Sequence, residues 1–125
     1  MQGNVRILII DDNDVSRSSL RFILSSVSRY QIVGQAASAK RGLELAEHLQ
    51  PDLICLDIIL PDGDGLYLLK IIKIRWPQIV VLMVTGNNDN GAMLNATRNG
   101  ASGYIVKPFN PDTLLYTVQK AMVKV

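Results

Sequence analysis

The sequence predicts an α/β domain with a single doubly wound sheet of five parallel strands and five helices. Continuous apolar runs recur along the chain, and runs without polar alternation are typical of strands covered on both faces. Each run is followed by a stretch with apolar residues at helical spacing, and strands that alternate with helices form parallel βαβ units. Because the helices must cover both faces, we expect the strand order to reverse once and to be 2-1-3-4-5.

The first half of the chain predicts two strand–helix pairs. Residues 5–10 are a β-branched run ending at two acids. These acids and the Asn that follows favour a helix start, because exposed N–H groups in a first turn attract negative charge. Residues 32–37 predict the second strand, and residues 39–49 predict a helix with Leu43 and Ala46 facing inward. The apolar stripe of the first helix consists of Leu20, Ile23, Leu24 and Val27.

The middle of the chain predicts a third pair. The third strand occupies residues 52–57. A Leu-Pro pair and two glycines follow at residues 60–65 and predict a segment without regular structure. The third helix, residues 66–75, is predicted to stop before Pro77, since a proline disfavours the helical conformation of the residue before it.

The end of the chain repeats the pattern twice. Residues 79–84 predict the fourth strand, and a polar stretch opens a helix that we expect to stop at Gly100. Residues 104–106 predict the fifth strand, and the Asn-Pro-Asp sequence at 110–112 supplies the cap, proline and acid of a helix start. The stripe of the fifth helix consists of Leu114, Leu115, Val118 and Met122.

The composition limits the function classes. The 125 residues suit one domain, spanning residues 1–125, with a single core. The net charge of +2 comes from scattered lysines and arginines, so we expect no direct binding of nucleic acid. The apolar runs are shorter than the roughly 18 residues of a membrane span, and residues 1–12 lack the basic start and the small-residue cleavage site that are typical of a signal peptide. We therefore expect a cytoplasmic protein without a membrane partner.

Several reactive or charged residues are expected to have structural roles. Cys55 lies inside an apolar run and is expected to be a small core side chain rather than a nucleophile. His48 has no histidine or cysteine beside it and is expected at the surface. Lys70, Lys73 and Arg75 lie between apolar positions of one helix and are expected to form a solvated face.

Polar residues follow four of the predicted strands, at the point where each strand ends. Asp11 and Asp12 follow the first strand, and Asp57 ends the third. Thr85 and Lys107 follow the fourth and fifth strands. In a 2-1-3-4-5 sheet the first and third strands are neighbours, so the three acids converge. Close carboxylates repel, so either one keeps a proton or a divalent cation binds; we favour the cation, because oxygen ligands suit Mg²⁺.

These residue types are the ones that phosphoryl transfer requires. The reaction needs in-line positioning and neutralisation of charge on the phosphoryl oxygens, which a metal ion, a lysine and a hydroxyl supply. Asp57 is the predicted nucleophile and would form an acyl phosphate. Lys107 would pair with Asp57 at rest and with a phosphoryl oxygen after transfer.

The combination resembles the receiver domain of bacterial two-component response regulators, which has a flavodoxin-like fold. The resemblance covers essentially the whole chain. The matching residues are Asp11-Asp12, Asp57, Leu60-Pro61, Asp64-Gly65, Thr85-Gly86, Ala96 to Gly100-Ala101, Tyr104 and Lys107-Pro108-Phe109. It implies a phosphorylation-controlled regulator that catalyses only its own phosphorylation and slow dephosphorylation.

The resemblance also implies how the site works. Asp57 would accept the phosphoryl group from the phosphohistidine of a sensor histidine kinase or a phosphotransfer protein. Asp12, Asp57 and the Ile59 carbonyl would bind Mg²⁺ or Mn²⁺, and Asp11 would hold the metal mainly through water.

The resemblance implies a switch as well. Thr85 and Lys107 would contact the phosphoryl oxygens, and Tyr104 would change rotamer as Thr85 shifts. The alternative is that Tyr104 is a plain packing aromatic. The surface of the fourth helix, fifth strand and fifth helix would carry the change to an output domain or downstream protein, and a dimer on activation is a further expectation.

Two residues would flank the path of a water that attacks the acyl phosphate. They are Ile59 and Asn87, at positions where such domains vary widely. A bulky apolar Ile59 hinders that water more than a polar side chain, so we expect slow self-dephosphorylation.

Two alternatives belong to other function classes. A haloacid-dehalogenase-like phosphatase would use Asp12 as its nucleophile, because Asp-Asn-Asp-Val at residues 12–15 imitates its Asp-x-Asp motif. Against it, the chain lacks a late acidic pair and leaves Asp57 without a role. The second alternative is a binding module, either flavodoxin-like or a receiver that works without phosphate. Against it, the Gly-Asp-Gly at residues 63–65 lacks the third glycine of a dinucleotide fingerprint.

Overall fold

The structure is a computed structural model that describes residues 3–86 and 89–123. Within these residues, no helix is both long and apolar enough to span a bilayer. The strands in this part of the chain are β1 (Val5–Ile10), β2 (Tyr30–Ala36), β3 (Leu53–Leu56), β4 (Ile59–Leu60), β5 (Gly63–Asp64), β6 (Val80–Thr85) and β7 (Gly103–Val106). The helices are α1 (Asp14–Ser25), α2 (Ala39–Leu49), α3 (Gly65–Arg75), α4 (Asn90–Arg98) and α5 (Pro111–Met122).

Most of the strands form one parallel sheet in the order β2-β1-β3-β6-β7. With β6 and β7 as the fourth and fifth strands of the sheet, the predicted 2-1-3-4-5 order is confirmed. β1 and β3 are neighbours, and Ile10 lies beside Leu56 at their carboxyl ends. Asp11 and Asp57, which directly follow this pair, therefore lie side by side at the carboxyl edge of the sheet.

The helices cover both faces of the sheet, as predicted. Successive side chains of a strand point to opposite faces. In β1, Leu8 and Ile10 pack in the cluster that includes α2, α3 and α4, while Ile7 and Ile9 pack in the cluster that includes α1 and α5. Cys55 lies in the second cluster, where burial raises the pKa of its thiol to about 12. It is a core side chain, as predicted.

The segment predicted to lack regular structure after β3 is instead an antiparallel hairpin, so that prediction is wrong. The hairpin pairs Ile59 with Asp64 and Leu60 with Gly63. A proline at the second position of the turn presets φ, which suits a tight turn between such short strands. Two-residue strands leave no alternation in the sequence from which they could be predicted.

β1 and α2 have the predicted bounds, whereas the bounds of several other elements differ by one or two residues. β2 starts at Tyr30 because Tyr30 pairs with Val5 at the start of β1. β6 extends to Thr85 because Thr85 pairs with Val106. The start of β2 and the end of β6 are therefore set by pairing with a neighbouring strand, and the local sequence does not indicate where that pairing begins or ends.

The predicted solvated face of α3 needs one correction. The Nζ of Lys73 donates to the carbonyls of Pro77 (2.8 Å) and Ile79 (2.7 Å), so this side chain ties the end of α3 to the start of β6. The other two members of that face are exposed, as predicted. His48 is exposed as well.

Candidate active site

Backbone hydrogen bonds position two acids at the carboxyl edge of the sheet. The Asp11 N–H donates to the Ala36 carbonyl, and the Asp57 N–H donates to the Ile10 carbonyl, both at 2.9 Å. These bonds extend β1 and β3 by one residue each. Asp11 is 1% exposed and Asp57 is 6% exposed, so both carboxyl groups are held in a largely dry environment.

Lys107 directly follows the edge strand β7, and its side chain contacts both acids. Its N–H donates to the Thr85 carbonyl at 2.8 Å, which extends β7 by one residue. Its ammonium group donates to Asp57 Oδ2 at 2.9 Å and lies 2.7 Å from Asp11 Oδ2. A single positive charge therefore bridges two buried carboxylates.

The charges in this cluster do not balance. Burial raises the pKa of Asp11, although the Lys107 ammonium and the Asn13 N–H, which donates to Asp11 Oδ1 at 2.9 Å, act to lower it. Burial alone would lower the pKa of Lys107, but its contacts with Asp11 and Asp57 outweigh burial and raise it. Asp11 Oδ2 and Asp57 Oδ2 share the one Lys107 ammonium, so a single cation faces two buried carboxylates.

Asp12 completes a group of three carboxylates. Asp11, Asp12 and Asp57 each offer an oxygen atom, and these atoms all lie within 4.8 Å of one another. Asp12 is exposed at the open side of the group. Carboxylate oxygens suit a hard divalent cation such as Mg²⁺ or Mn²⁺, and three carboxylates beside one lysine leave negative charge that such an ion would neutralise. The residues present therefore fit the metal site expected from the sequence.

Ile59 lies directly beside the Asp57 carboxylate. Its N–H donates to Asp57 Oδ1 at 3.3 Å, and its side chain is 65% exposed. The role of its carbonyl as a metal ligand stays a prediction. Asn87, the other residue expected beside the path of the water, lies outside the described residues.

Thr85 and Tyr104 lie on the two strands next to this group. Leu56 pairs with Met83, so Thr85 lies one residue further along the sheet edge than Asp57, and it is fully buried. Tyr104 pairs with Met83 from the other side and is partly buried. Burial raises the pKa of the Tyr104 hydroxyl, and nearby acids that include Asp57 add to the rise. Asp11, Asp57, Thr85 and Lys107 thus share one edge of the sheet, and Tyr104 lies within β7, two residues before the end of that strand.

Sequence reasoning did not assign the contacts of three residues around the site, although Gly65 was among the residues that match the family. A Cβ at Gly65 would overlap the Asp57 carbonyl oxygen, so only glycine permits this approach of helix α3 to the loop. Arg17 donates to the Asp11 carbonyl at 2.7 Å. Asp62 accepts a hydrogen bond from the Ala39 N–H at the start of α2. Each contact is made to a backbone atom, which the pattern of side-chain types in the sequence does not indicate.

Comparison with known proteins identifies the family. A family model described as "Response regulator receiver domain" matches residues 7–119. The chain belongs to this family of receiver domains.

Individual relatives agree with the family match. Transcriptional regulatory protein YdfI of Bacillus subtilis is 32% identical over 117 residues, which are 94% of this chain and 54% of YdfI. Chemotaxis protein CheY of Listeria monocytogenes is 31% identical over 117 residues, 94% of this chain and 98% of CheY. The crystal structure of the response regulator domain of Thermotoga maritima CheB has a TM-score of 0.85 at 30% identity, covering 98% of this chain and 99% of that chain. The chain spans about half the length of the first curated relatives that it matches.

Family membership supplies the general function. The chain is a receiver domain of two-component response regulators, and the role of a phosphoacceptor switch follows from the family. The comparisons give no support to the phosphatase alternative with Asp12 as nucleophile.

Proposed function

We propose that Asp57 accepts a phosphoryl group from the phosphohistidine of a sensor histidine kinase or a phosphotransfer protein. The observation that carries this proposal is the Lys107 ammonium between the buried carboxylates of Asp57 and Asp11. A buried ion pair adds little stability, because desolvation offsets the attraction. Perturbed charges at the ligand-binding edge of an open α/β sheet instead favour a chemical role.

The transfer exchanges one bond to phosphorus for another. A carboxylate oxygen of Asp57 attacks the phosphorus atom as the P–N bond to the donor imidazole breaks, and the imidazole nitrogen keeps the bonding electron pair. Lys107 lies at Asp57 Oδ2 before transfer and moves its contact to a phosphoryl oxygen afterwards. The Thr85 hydroxyl contacts a second phosphoryl oxygen.

The metal site supports the same reaction. Asp12, Asp57 and the Ile59 carbonyl would hold Mg²⁺ or Mn²⁺, and Asp11 would act mainly through water. When bound, the ion neutralises charge on the phosphoryl oxygens. The bound ion would also compensate the excess negative charge of two buried acids that share one lysine, because it adds positive charge beside them.

The donor approaches from the side of helix α1. A groove of about 420 Å³ lies between α1 and the segment after β7, and Lys107 lines it together with Val15 and Phe109. Phe22 of α1 is 80% exposed. An apolar helix face beside the residue that contacts Asp57 suits a helical phosphohistidine donor.

Phosphorylation changes the opposite surface through Thr85 and Tyr104. The added charge attracts the Thr85 hydroxyl, and its shift opens space that the Tyr104 ring can fill. The surface of α4, β7 and α5 then presents a different face to an output domain, a downstream protein or a second copy. Met93 and Leu94 of α4 are among the exposed apolar side chains there. Because phosphate shifts an existing equilibrium, partial activity without phosphate is expected.

The phosphorylated state is long-lived. The Ile59 side chain is exposed beside Asp57, where it obstructs the water that would hydrolyse the acyl phosphate. The chain therefore catalyses its own phosphorylation and only slow dephosphorylation, as a cytoplasmic regulator.

Incubation with Mg²⁺ and acetyl phosphate tests the proposal. We expect an acid-stable, base-labile adduct of one phosphoryl group, detected by intact mass. Asp57→Asn should abolish the adduct, while Asp12→Asn should slow its formation without preventing it at high Mg²⁺. The reverse pattern, with labelling lost only in Asp12→Asn, would support a phosphatase-like nucleophile instead.

A further inference from the structure

The turn of the β4–β5 hairpin is bonded to the start of helix α2. The Asp62 carboxylate accepts hydrogen bonds from the N–H groups of Ala39 at 2.7 Å and Lys40 at 3.0 Å. Asp62 and Ala39 are 23 residues apart in the chain. Neither the sequence pattern nor the family comparisons give Asp62 a role.

These contacts complete the cap of α2. The first N–H groups of a helix have no partner within the helix. Ser38 Oγ accepts from the Arg41 N–H at 3.2 Å, and Asp62 accepts from the two N–H groups before it. A carboxylate at this end of a helix also interacts favourably with the helix dipole. The backbone hydrogen bonds from Lys40 and Ala39 lower the pKa of Asp62, so it is charged at neutral pH.

The hairpin needs such contacts, because it is too short to be stable by itself. Each of its strands has two residues, and even longer isolated hairpins are marginal in water. The burial of Leu60 holds one strand, and the Asp64 side chain, which accepts from the Leu66 N–H at 2.9 Å, holds the other. Asp62 fastens the turn between them.

The same hairpin starts at the metal site. Ile59 is the first residue of β4, its N–H donates to Asp57 Oδ1, and its carbonyl is the proposed metal ligand. We propose that Asp62 is a positioning residue of this site, which fastens the hairpin to α2 and thereby holds the Ile59 backbone where the metal ion binds. The inference rests on the proposed function, since it assumes that Ile59 contributes to metal binding.

Coupling of this kind is reciprocal. If the Asp62 contact strengthens metal binding, metal binding strengthens the Asp62 contact by the same factor. Hydrogen exchange of the Ala39 and Lys40 amides should therefore slow when Mg²⁺ is added. The Arg41 amide, whose partner is Ser38, is an internal control in the same helix turn and should not respond.

A pair of variants separates positioning from capping. Asp62→Ala and Ser38→Ala each remove a cap of α2, so both should lower the stability of that helix. Ser38 caps the helix from within its own segment, whereas Asp62 also holds the hairpin. Calorimetric titration of the unphosphorylated chain with Mg²⁺ should show a Kd raised roughly tenfold in Asp62→Ala, the size of change typical for residues that orient metal ligands. Ser38→Ala should bind as wild type does.

Asp62→Asn and the amide exchange keep the test decisive if Asp62→Ala folds poorly. Asp62→Asn keeps one acceptor oxygen, so its Mg²⁺ affinity should fall between those of wild type and Asp62→Ala. Unchanged Mg²⁺ affinity in Asp62→Ala and Asp62→Asn, an equal loss in Ser38→Ala, or amides that ignore Mg²⁺ would each overturn the positioning role.

Failure of the proposed function gives a different result. A wild-type chain that binds no Mg²⁺ would overturn both ideas together. Acetyl phosphate labelling at a residue other than Asp57, with the affinity difference between Asp62→Ala and Ser38→Ala intact, would overturn the assigned acceptor and support the positioning role.

Discussion

Replacing Lys107 with methionine removes the positive charge that Asp11 and Asp57 share and keeps a side chain of similar length. Two carboxylates are then left together in a largely dry site, so one must take up a proton or the site must open. We expect the variant to be less stable than wild type at neutral pH without Mg²⁺.

Protonation sets the scale of this loss. Protonating a carboxyl group with an unfolded pKa of about 4 costs about 4 kcal/mol at neutral pH, which bounds the charge effect. Removing one partner of a buried ion pair typically costs about 3–5 kcal/mol. The Lys107 side chain is 19% exposed, so solvent offsets part of that amount. We expect a loss of roughly 2–3 kcal/mol in the free energy of unfolding.

The loss should depend on pH in a defined direction. Without Lys107 the pKa of Asp11, which burial already raises, rises further, so the native state binds a proton that the unfolded state releases. The stability of the variant relative to wild type therefore falls as the pH rises from the Asp11 pKa of wild type toward the higher Asp11 pKa of the variant.

Urea unfolding at about pH 5 and about pH 7 measures this dependence. Lys70→Met, which removes an exposed lysine of α3, is the matched control and should change little at either pH. Millimolar Mg²⁺ should restore most of the stability lost in Lys107→Met, because the ion replaces the missing charge. A deficit that is the same at both pH values and insensitive to Mg²⁺ would refute the charge argument and assign Lys107 to packing.

Three further outcomes are expected. Gly65→Ala places a methyl group against the Asp57 carbonyl, so urea unfolding should show a loss of at least about 1–3 kcal/mol; Gly86→Ala, where a Cβ meets nothing within 4 Å, should show none. Ile59→Asn should shorten the lifetime of the acyl phosphate, because a polar side chain admits water; an unchanged rate of label loss counts against this. Mg²⁺ should bind more weakly as the pH falls through the raised pKa of Asp11, since binding displaces that proton. Calorimetric affinities that do not vary between about pH 5 and about pH 7 would contradict it.

The sheet and the edge that carries the site could be predicted because apolar runs and their ends are local features. Asp11 and Asp57 are the first polar residues after buried runs, and the rule that parallel strands end at one edge brings them together. Lys107 could be placed at that edge for the same reason. Its bridge between the two acids could not, because it depends on the side-chain position rather than on the strand order.

Contacts between segments that are far apart in the chain could not be predicted from the sequence. The strands of the hairpin that carries Ile59 are too short to show an alternation of apolar and polar residues. In the sequence, Asp62 looks like an ordinary polar turn residue, and its role depends on the packing of α2 beside the hairpin. Helical spacing predicts a solvated position for Lys73, because it indicates on which side of the helix the residue lies but not which carbonyl groups its ammonium reaches. In each case the partner is chosen by packing, not by the neighbouring residues.

Locating the phosphoryl group in the wild-type chain is the most direct measurement of all. After reaction with acetyl phosphate and Mg²⁺, reduction of the acyl phosphate with borohydride converts the modified aspartate to homoserine, which tandem mass spectrometry places in the sequence. The modification should appear at Asp57 and should vanish when EDTA replaces Mg²⁺. Homoserine at Asp11 or Asp12, or labelling that does not need the metal, would contradict the assignment of Asp57 as the metal-dependent acceptor.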